Sequence, residues 1–186
     1  MLVKIAAGIG IVLSLMLITA GYFGAFSKVT LKKENRGPFR IAYKDHTGAY
    51  SKIGPVMDSV YEELKRNGIE TTKGFGLYFD NPAETPKEEL RSIGGCIIPD
   101  SAVSLPNGIK TDVFPEAQSI VSEFPYKGGL SIIFGVMKVY PELSAYMKEN
   151  NIEGLPIAEI YDTPGEKIEY MIPAGAGTDT LEAFLK

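Results

Sequence analysis

Apolar and polar positions divide the chain into distinct regimes. From Ile5 to Phe26, 22 residues carry no charge and are rich in Ile, Leu, Val, Gly and Ala. At about 1.5 Å per residue, a helix of that length reaches roughly 33 Å, enough for a hydrocarbon core of about 30 Å. A transmembrane helix is therefore predicted over 5–26, after a short N-terminus of residues 1–4. A cleaved signal peptide would show an apolar stretch of about 7–15 residues ending in a small-x-small site. This run is longer, although Ala20-Gly21-Tyr22 and Gly24-Ala25-Phe26 offer weak cleavage-like spots. Tyr22, Phe23 and Phe26 sit where an interfacial aromatic belt would lie. A basic juxtamembrane linker is expected over 27–37.

Beyond the linker the pattern switches to short alternating runs separated by one helical period. Phe39 to Tyr43 alternates like a half-buried strand. Ser51 to Asn67 then places Ile53, Val56, Met57, Val60, Tyr61 and Leu64 on one helical face. Asn67-Gly68 ends that helix, since Gly readily takes the left-handed C-terminal conformation. Strands follow over Phe75 to Phe79 and Ser92 to Ile98. The same order recurs downstream. Leu130 to Phe134 reads as a strand, and a helix runs to Asn150 with Val136, Tyr140, Leu143 and Met147 inward and Pro141 in its first turn. Strands over Ala158 to Tyr161 and Lys167 to Ile172 complete the second copy.

The copies also match residue on residue. Lys65, Asn67, Ile69 and Glu70 recur as Lys148, Asn150, Ile152 and Glu153, Asp80-x-Pro82 recurs as Asp162-x-Pro164, and Ile98-Pro99 recurs as Ile172-Pro173. The predicted fold is α+β: duplicated β-α-β-β units with pseudo-twofold symmetry and a groove between them, behind one transmembrane helix. The domain is expected over 38–175, with one repeat over about 38–100, the other over about 122–175, and a tail over 176–186.

Composition narrows the chemistry. One Cys excludes an internal disulfide, and a lone Cys96 with a lone His46 cannot build a Cys/His zinc site. No metal and no cofactor is expected. His46 falls in a polar loop, where a histidine is usually solvated, and Cys96 reads as a small core residue. Five of the 19 basic residues but one of the 23 acidic ones lie in residues 1–36, which leaves the remainder at about −8. An acidic domain argues against a nucleic-acid partner. Lys28, Lys32, Lys33 and Arg36 follow the apolar run whereas only Lys4 precedes it, so the positive-inside bias places the domain in the cytoplasm. No Ser lies in a GxSxG context, and no phosphate loop or dinucleotide fingerprint appears.

One polar residue stands where the duplicated pattern expects an apolar one. Aligning the copies through Asp80 and Asp162 pairs Leu77 with Glu159 and Phe79 with Tyr161. Alternation puts Glu159 and Tyr161 on one face. A desolvated carboxylate beside aromatic rings suits a lipophilic cation, and can also serve as a general acid/base. A solvent-facing glutamate is the alternative.

The order of elements, with Glu159-Ile160-Tyr161 before an Asp162-Thr163-Pro164 turn, resembles the GyrI-like, or bacterial effector-binding, domain built from two SHS2-type modules. The resemblance runs from Phe39 to Pro173. Further segments are similar to a family of testis-expressed, single-pass endoplasmic-reticulum autophagy receptors: Tyr43-Lys44-x-His46-x-Gly48-x-Tyr50, Tyr78-Phe79-Asp80-Asn81-Pro82 and Phe124-Pro125-Tyr126. The long tail of those receptors, with its aromatic-x-x-aliphatic motif, has no counterpart in Thr178 to Lys186, so the resemblance carries the anchored module and not the receptor role. It implies a small-molecule ligand and an acid–aromatic pair in Glu159 and Tyr161; with the tyrosines that fall on or near predicted strands, the candidate site is Glu159, Tyr161, Tyr43, Tyr78 and Tyr126. A membrane-bound interaction or scaffold protein with a protein partner is the alternative. A hydrolase using Glu159 is the other, since some GyrI-like proteins open reactive electrophilic rings.

Overall fold

In a computed structural model that describes residues 2–102, 104–175 and 181, helix α1 (Leu2–Tyr22) covers most of the apolar run but ends four residues before its expected end at Phe26, and 23–26 form a turn. It is long and apolar enough to cross a membrane, a property that an anchor shares with an N-terminal signal sequence. Its large side chains, from Val3 to Ile18, are exposed.

The first unit contains β1 (Lys32–Arg36), β2 (Phe39–Thr47), α2 (Ile53–Arg66), β3 (Lys73–Tyr78) and β4 (Arg91–Ile97). The second contains β5 (Lys110–Phe114), β6 (Ala117–Pro125), α3 (Gly129–Glu149), β7 (Ile157–Asp162) and β8 (Lys167–Pro173). Helix α2 ends as expected: Asn67 caps it by donating from Nδ2 to the Glu63 carbonyl at 2.8 Å, and Gly68 takes φ +73°.

The second unit departs from the sequence pattern. Leu130 to Phe134 is the start of α3, and the strand that matches β2 is β6, which begins at Ala117 and not near residue 122. A five-residue apolar run cannot distinguish strand from helix by itself. What decides it is a fourfold period of small and apolar residues: Ser131, Gly135, Val139 and Leu143 are the buried positions of α3. Pro141 consequently lies inside the helix and not in its first turn. Its missing N–H falls on an exposed position. The stretch read as a linker also contains β1, whose five polar residues look like neither face of a buried strand.

The eight strands of the described residues form one antiparallel sheet in the order β1-β6-β8-β7-β3-β4-β2-β5. The order reads the same from both ends when the two units are exchanged, with β3 and β7 paired at the centre. The outermost strands are swapped. β1 leads into β2 but pairs with β6, and β5 leads into β6 but pairs with β2.

Both helices pack on one face, α2 over β2, β3 and β4, and α3 over β6 and β8. The opposite face carries a core of Ile41, Phe75, Leu77, Phe114, Ile160 and Met171, onto which Leu181 of the tail also folds. Leu77 therefore points away from the helices. It pairs with Ala158, and the residue directly opposite Glu159 is Gly76. Aligning the copies through Asp80 and Asp162 makes Leu77 the counterpart of Glu159, but Leu77 lies in the core away from the helices whereas Glu159 bonds Tyr140 of α3, so that alignment is one residue out of step and matches residues of opposite faces.

Candidate functional site: a buried carboxylate under tyrosines

The period-two alternation of β7 directs Ala158, Ile160 and Asp162 to one face, and Ile157, Glu159 and Tyr161 to the face beneath the helices. Across the sheet from β7, the first unit offers Gly74 and Gly76 of β3 and Gly94 of β4. Gly74 and Gly94 let α2 lie close to the sheet, and Gly76 leaves room for the Tyr78 ring. A Cβ at Gly94 would meet Ile53 of α2 at 2.9 Å, and one at Gly74 would meet Met57 at 2.9 Å. On the other side of β7, the β7–β8 hairpin sets Tyr170 directly opposite Glu159.

Glu159 is 2% exposed. Its Oε1 accepts a hydrogen bond from the Tyr140 hydroxyl of α3 at 2.7 Å, and its Oε2 accepts from Tyr78 at 3.2 Å and from Tyr161. The rings extend outward in edge-to-face pairs: Tyr50 on Tyr78, Tyr126 on Tyr161 and Tyr140 on Tyr170, with centroids 4.9, 5.9 and 5.9 Å apart. Tyr50 ties the rim to the 80–91 loop by donating to the Asp80 carbonyl, while Asp80 holds Arg91 in an ion pair at 2.6 Å.

Burial drives the Glu159 carboxyl above its ordinary range, and the hydroxyls of Tyr161, Tyr140 and Tyr78 oppose that rise without cancelling it. Tyr78, Tyr140 and Tyr161 are pushed well above 10, first by burial and then by the neighbouring carboxylate. All three are therefore fixed as neutral donors at physiological pH. The arrangement is a single acidic group enclosed by aromatic rings, with three phenols that can follow either its ionised or its protonated form.

Four of the five residues picked from the sequence converge here: Glu159, Tyr161 and Tyr78 bond directly, and Tyr126 stacks on Tyr161. Tyr43 does not join them. It faces the opposite core with Phe75 and Leu77, because its pairing with Gly95 puts it on the side of the sheet away from the helices. Two aromatic residues join the site beyond those picked from the sequence: Tyr140, expected only to face inward on its helix, and Tyr170. A signal for Tyr170 existed, since closing the hairpin between Asp162 and Lys167 counts back to a Glu159–Tyr170 pair. Gly94-Gly95 is a close backbone approach: a Cβ at Gly95 would lie 1.9 Å from the Ala42 carbonyl oxygen.

A family model for the GyrI-like small molecule binding domain matches residues 30–174. The chain is 31% identical over 171 residues to testis-expressed protein 264 homolog of Mus musculus, covering 83% of this chain and 52% of that protein. To testis-expressed protein 264 of Homo sapiens it is 29% identical over 191 residues, covering 93% and 57%. The chain thus spans about half the length of the curated relatives it matches. Among solved structures, EcmrR in a complex with DNA aligns with TM-score 0.60 at 13% identity, over 93% of this chain and 69% of that one. SAV2435 bound to tetraphenylphosphonium aligns with TM-score 0.54 at 10% identity, over 82% and 96%. At such identities these likenesses show the fold alone.

Proposed function

This chain belongs to the GyrI-like small-molecule-binding domain family, and we propose that it is a membrane-anchored member that binds lipophilic cations at Glu159. The carrying observation is the buried carboxylate with three tyrosine hydroxyls on its two oxygens. Burial makes ionised Glu159 costly, and a cation against it would offset that cost, while ring faces attract cations by a further 0.5–2 kcal/mol or so. A protein of the same fold is described bound to tetraphenylphosphonium, a lipophilic cation. The matching strand order of the two halves supports reading them as a duplicated SHS2-type module with Glu159 at their junction.

The retained anchor is supported by what surrounds the cleavage-like spot. Gly24 is buried, a Cβ on it would meet the Phe124 ring at 2.8 Å, and Lys138 donates from Nζ to the Ala25 carbonyl at 2.8 Å. Removing residues through Ala25 would strip contacts from the folded domain. The basic cluster behind α1 supports a cytoplasmic domain.

The test is calorimetric titration of tetraphenylphosphonium into the full chain in lipid nanodiscs. Losing a partly desolvated charge contact costs about 2–5 kcal/mol, and about 1.4 kcal/mol is tenfold in affinity. Glu159→Gln weakens the cation at least tenfold and leaves the neutral analogue triphenylphosphine oxide unchanged. In the unsubstituted chain, cation affinity rises with pH through the elevated Glu159 value and levels off above it, since only the carboxylate attracts. Equal affinity in both chains rejects the site.

A hydrolytic reading draws on the same residues, favoured by phenol donors within hydrogen-bond reach of Glu159. There Glu159 takes a proton from water and the tyrosines hold an electrophilic substrate. Turnover of a strained-ring electrophile that disappears in Glu159→Gln would select it.

A further inference from the structure

Helix α3 is built inside out over its first half. Its buried positions there are the small residues Ser131 and Gly135, while Leu130, Ile133, Val136 and Met137 face outward, with Ile133 54% and Met137 67% exposed. Small residues inside follow from close packing, because a Cβ at Gly135 would lie 2.2 Å from the Tyr170 hydroxyl oxygen. Large apolar residues outside have no such cause. From Gly129 to Met137 the helix carries no charge, and the first cation, Lys138, turns its amine to the Ala25 carbonyl. Past Pro141 the outer surface becomes polar, with Glu142, Ser144, Lys148 and Glu149 exposed. Helix α2 shows the ordinary pattern, with Asp58, Glu62, Lys65 and Arg66 outward. Exposed apolar stripes of this kind mark a surface that meets another apolar phase.

The position of α1 identifies that phase. Leu15, Met16, Thr19 and Ala20 of α1 and Leu130 and Phe134 of α3 line one shallow cleft. Leu15 lies seven helical steps before Tyr22, about 10 Å along the axis. The connection between the helices has no slack. Gly24 packs on Phe124, Lys138 holds the Ala25 carbonyl, and Val29 and Leu31 join the core under α3.

We propose that the outer face of the N-terminal half of α3 lies in the lipid headgroup–acyl boundary beside α1, as a second membrane contact of the domain. The inference rests on the anchor reading of α1. If α1 spans the bilayer with Tyr22 at the interface, the residues bordering its Leu15–Ala20 stretch lie within the depth of about 5–10 Å that interfacial helices reach. Leu130, Ile133 and Met137 then lie in acyl chain while the polar end of α3 rises into water. The same helix carries Tyr140 on its inner side, so the lid of the Glu159 site would be a membrane-seated element.

The chain contains no Trp, so a single indole reports its own position. Full-length protein carrying I133W, M137W, L13W or E62W is reconstituted in phosphatidylcholine vesicles, with and without lipids brominated at the headgroup end and at the middle of the acyl chain. All four positions are exposed, so the indole adds without a core clash. The expected result is blue-shifted emission with loss of intensity in brominated vesicles for I133W, M137W and L13W, and unshifted, unquenched emission for E62W. Quenching of L13W alone leaves the anchor standing and overturns the α3 contact. An unquenched L13W removes the anchor, and the proposal with it. A blue shift at I133W and M137W without bromine quenching assigns the stripe to a second copy of the chain and likewise overturns the lipid contact.

Discussion

Glu159 concentrates the residue-scale physics of this protein. Its carboxyl in the folded state holds a proton more tightly than in the unfolded chain, because burial outweighs the three phenol bonds. By linkage, the stability this provides is fully present below the ordinary carboxylate range and is lost as pH rises through the elevated folded-state value. Glu159→Gln removes that loss and leaves the protein equally stable or more stable at neutral pH, as expected when a buried charge is replaced by a neutral group of the same shape. Thermal unfolding followed from acidic to neutral pH checks this. Tyr140→Phe supplies the matching test, since Tyr140 is the hydroxyl that reaches Oε1. It moves the decline to higher pH, whereas Tyr43→Phe, on the far face of the sheet, leaves it in place.

At the scale of elements, the seat of α3 on the sheet depends on one missing Cβ. Gly135→Ala drives a methyl to within 2.2 Å of the Tyr170 hydroxyl oxygen, in a region where Tyr170 is fully buried and cannot swing aside. Overpacking of this kind typically costs about 1–3 kcal/mol. The Tyr170 hydroxyl makes no hydrogen bond to any described residue, so Tyr170→Phe removes a buried polar atom that stabilises nothing and raises stability slightly. The double variant is then less destabilised than the sum of the singles, by roughly 0.5–3 kcal/mol of coupling. Denaturant midpoints of the four chains read this directly. Additivity would mean that α3 does not rest on Tyr170. The swapped edge strands act on the same scale. Because β1 pairs with β6 and β5 with β2, each unit closes the other's sheet edge, and Arg36 of β1 bonds the buried Glu169 of β8 at 3.0 Å. An otherwise open strand edge is a site for unwanted pairing.

For the whole molecule, what matters is how an acidic domain is mounted on its apolar helix. Segment 23–31 packs into the domain and does not act as a free tether. The intact chain is expected to sediment with membranes and to resist carbonate extraction. Recovery in the soluble fraction, trimmed near residue 25, would establish a signal sequence instead. Protease added to sealed cells should leave the domain intact if the basic cluster keeps it in the cytoplasm.

The amino-acid sequence alone made legible the apolar helix, the extent of α2 to within two residues, and the unit of one helix and following hairpin, because each rests on local periodicity or on turn residues such as Asn67-Gly68 and Asp162-Thr163-Pro164. It also determined that Glu159 and Tyr161 share a face, since alternation within a strand needs no partner. The nature of 130–134, the strand character of 32–36 and the side of the sheet taken by Tyr43 were decided by the tertiary structure. A short apolar run turns helical when small residues every fourth position let it pack. A polar strand forms when a neighbour offers a free edge, and a strand residue's facing follows from a register set far away in the chain. The carboxylate's environment belongs to this second group. Tyr78, Tyr140 and Tyr161 come from three elements, and only the pairing of β3 with β7 under α3 brings their hydroxyls to one pair of oxygens.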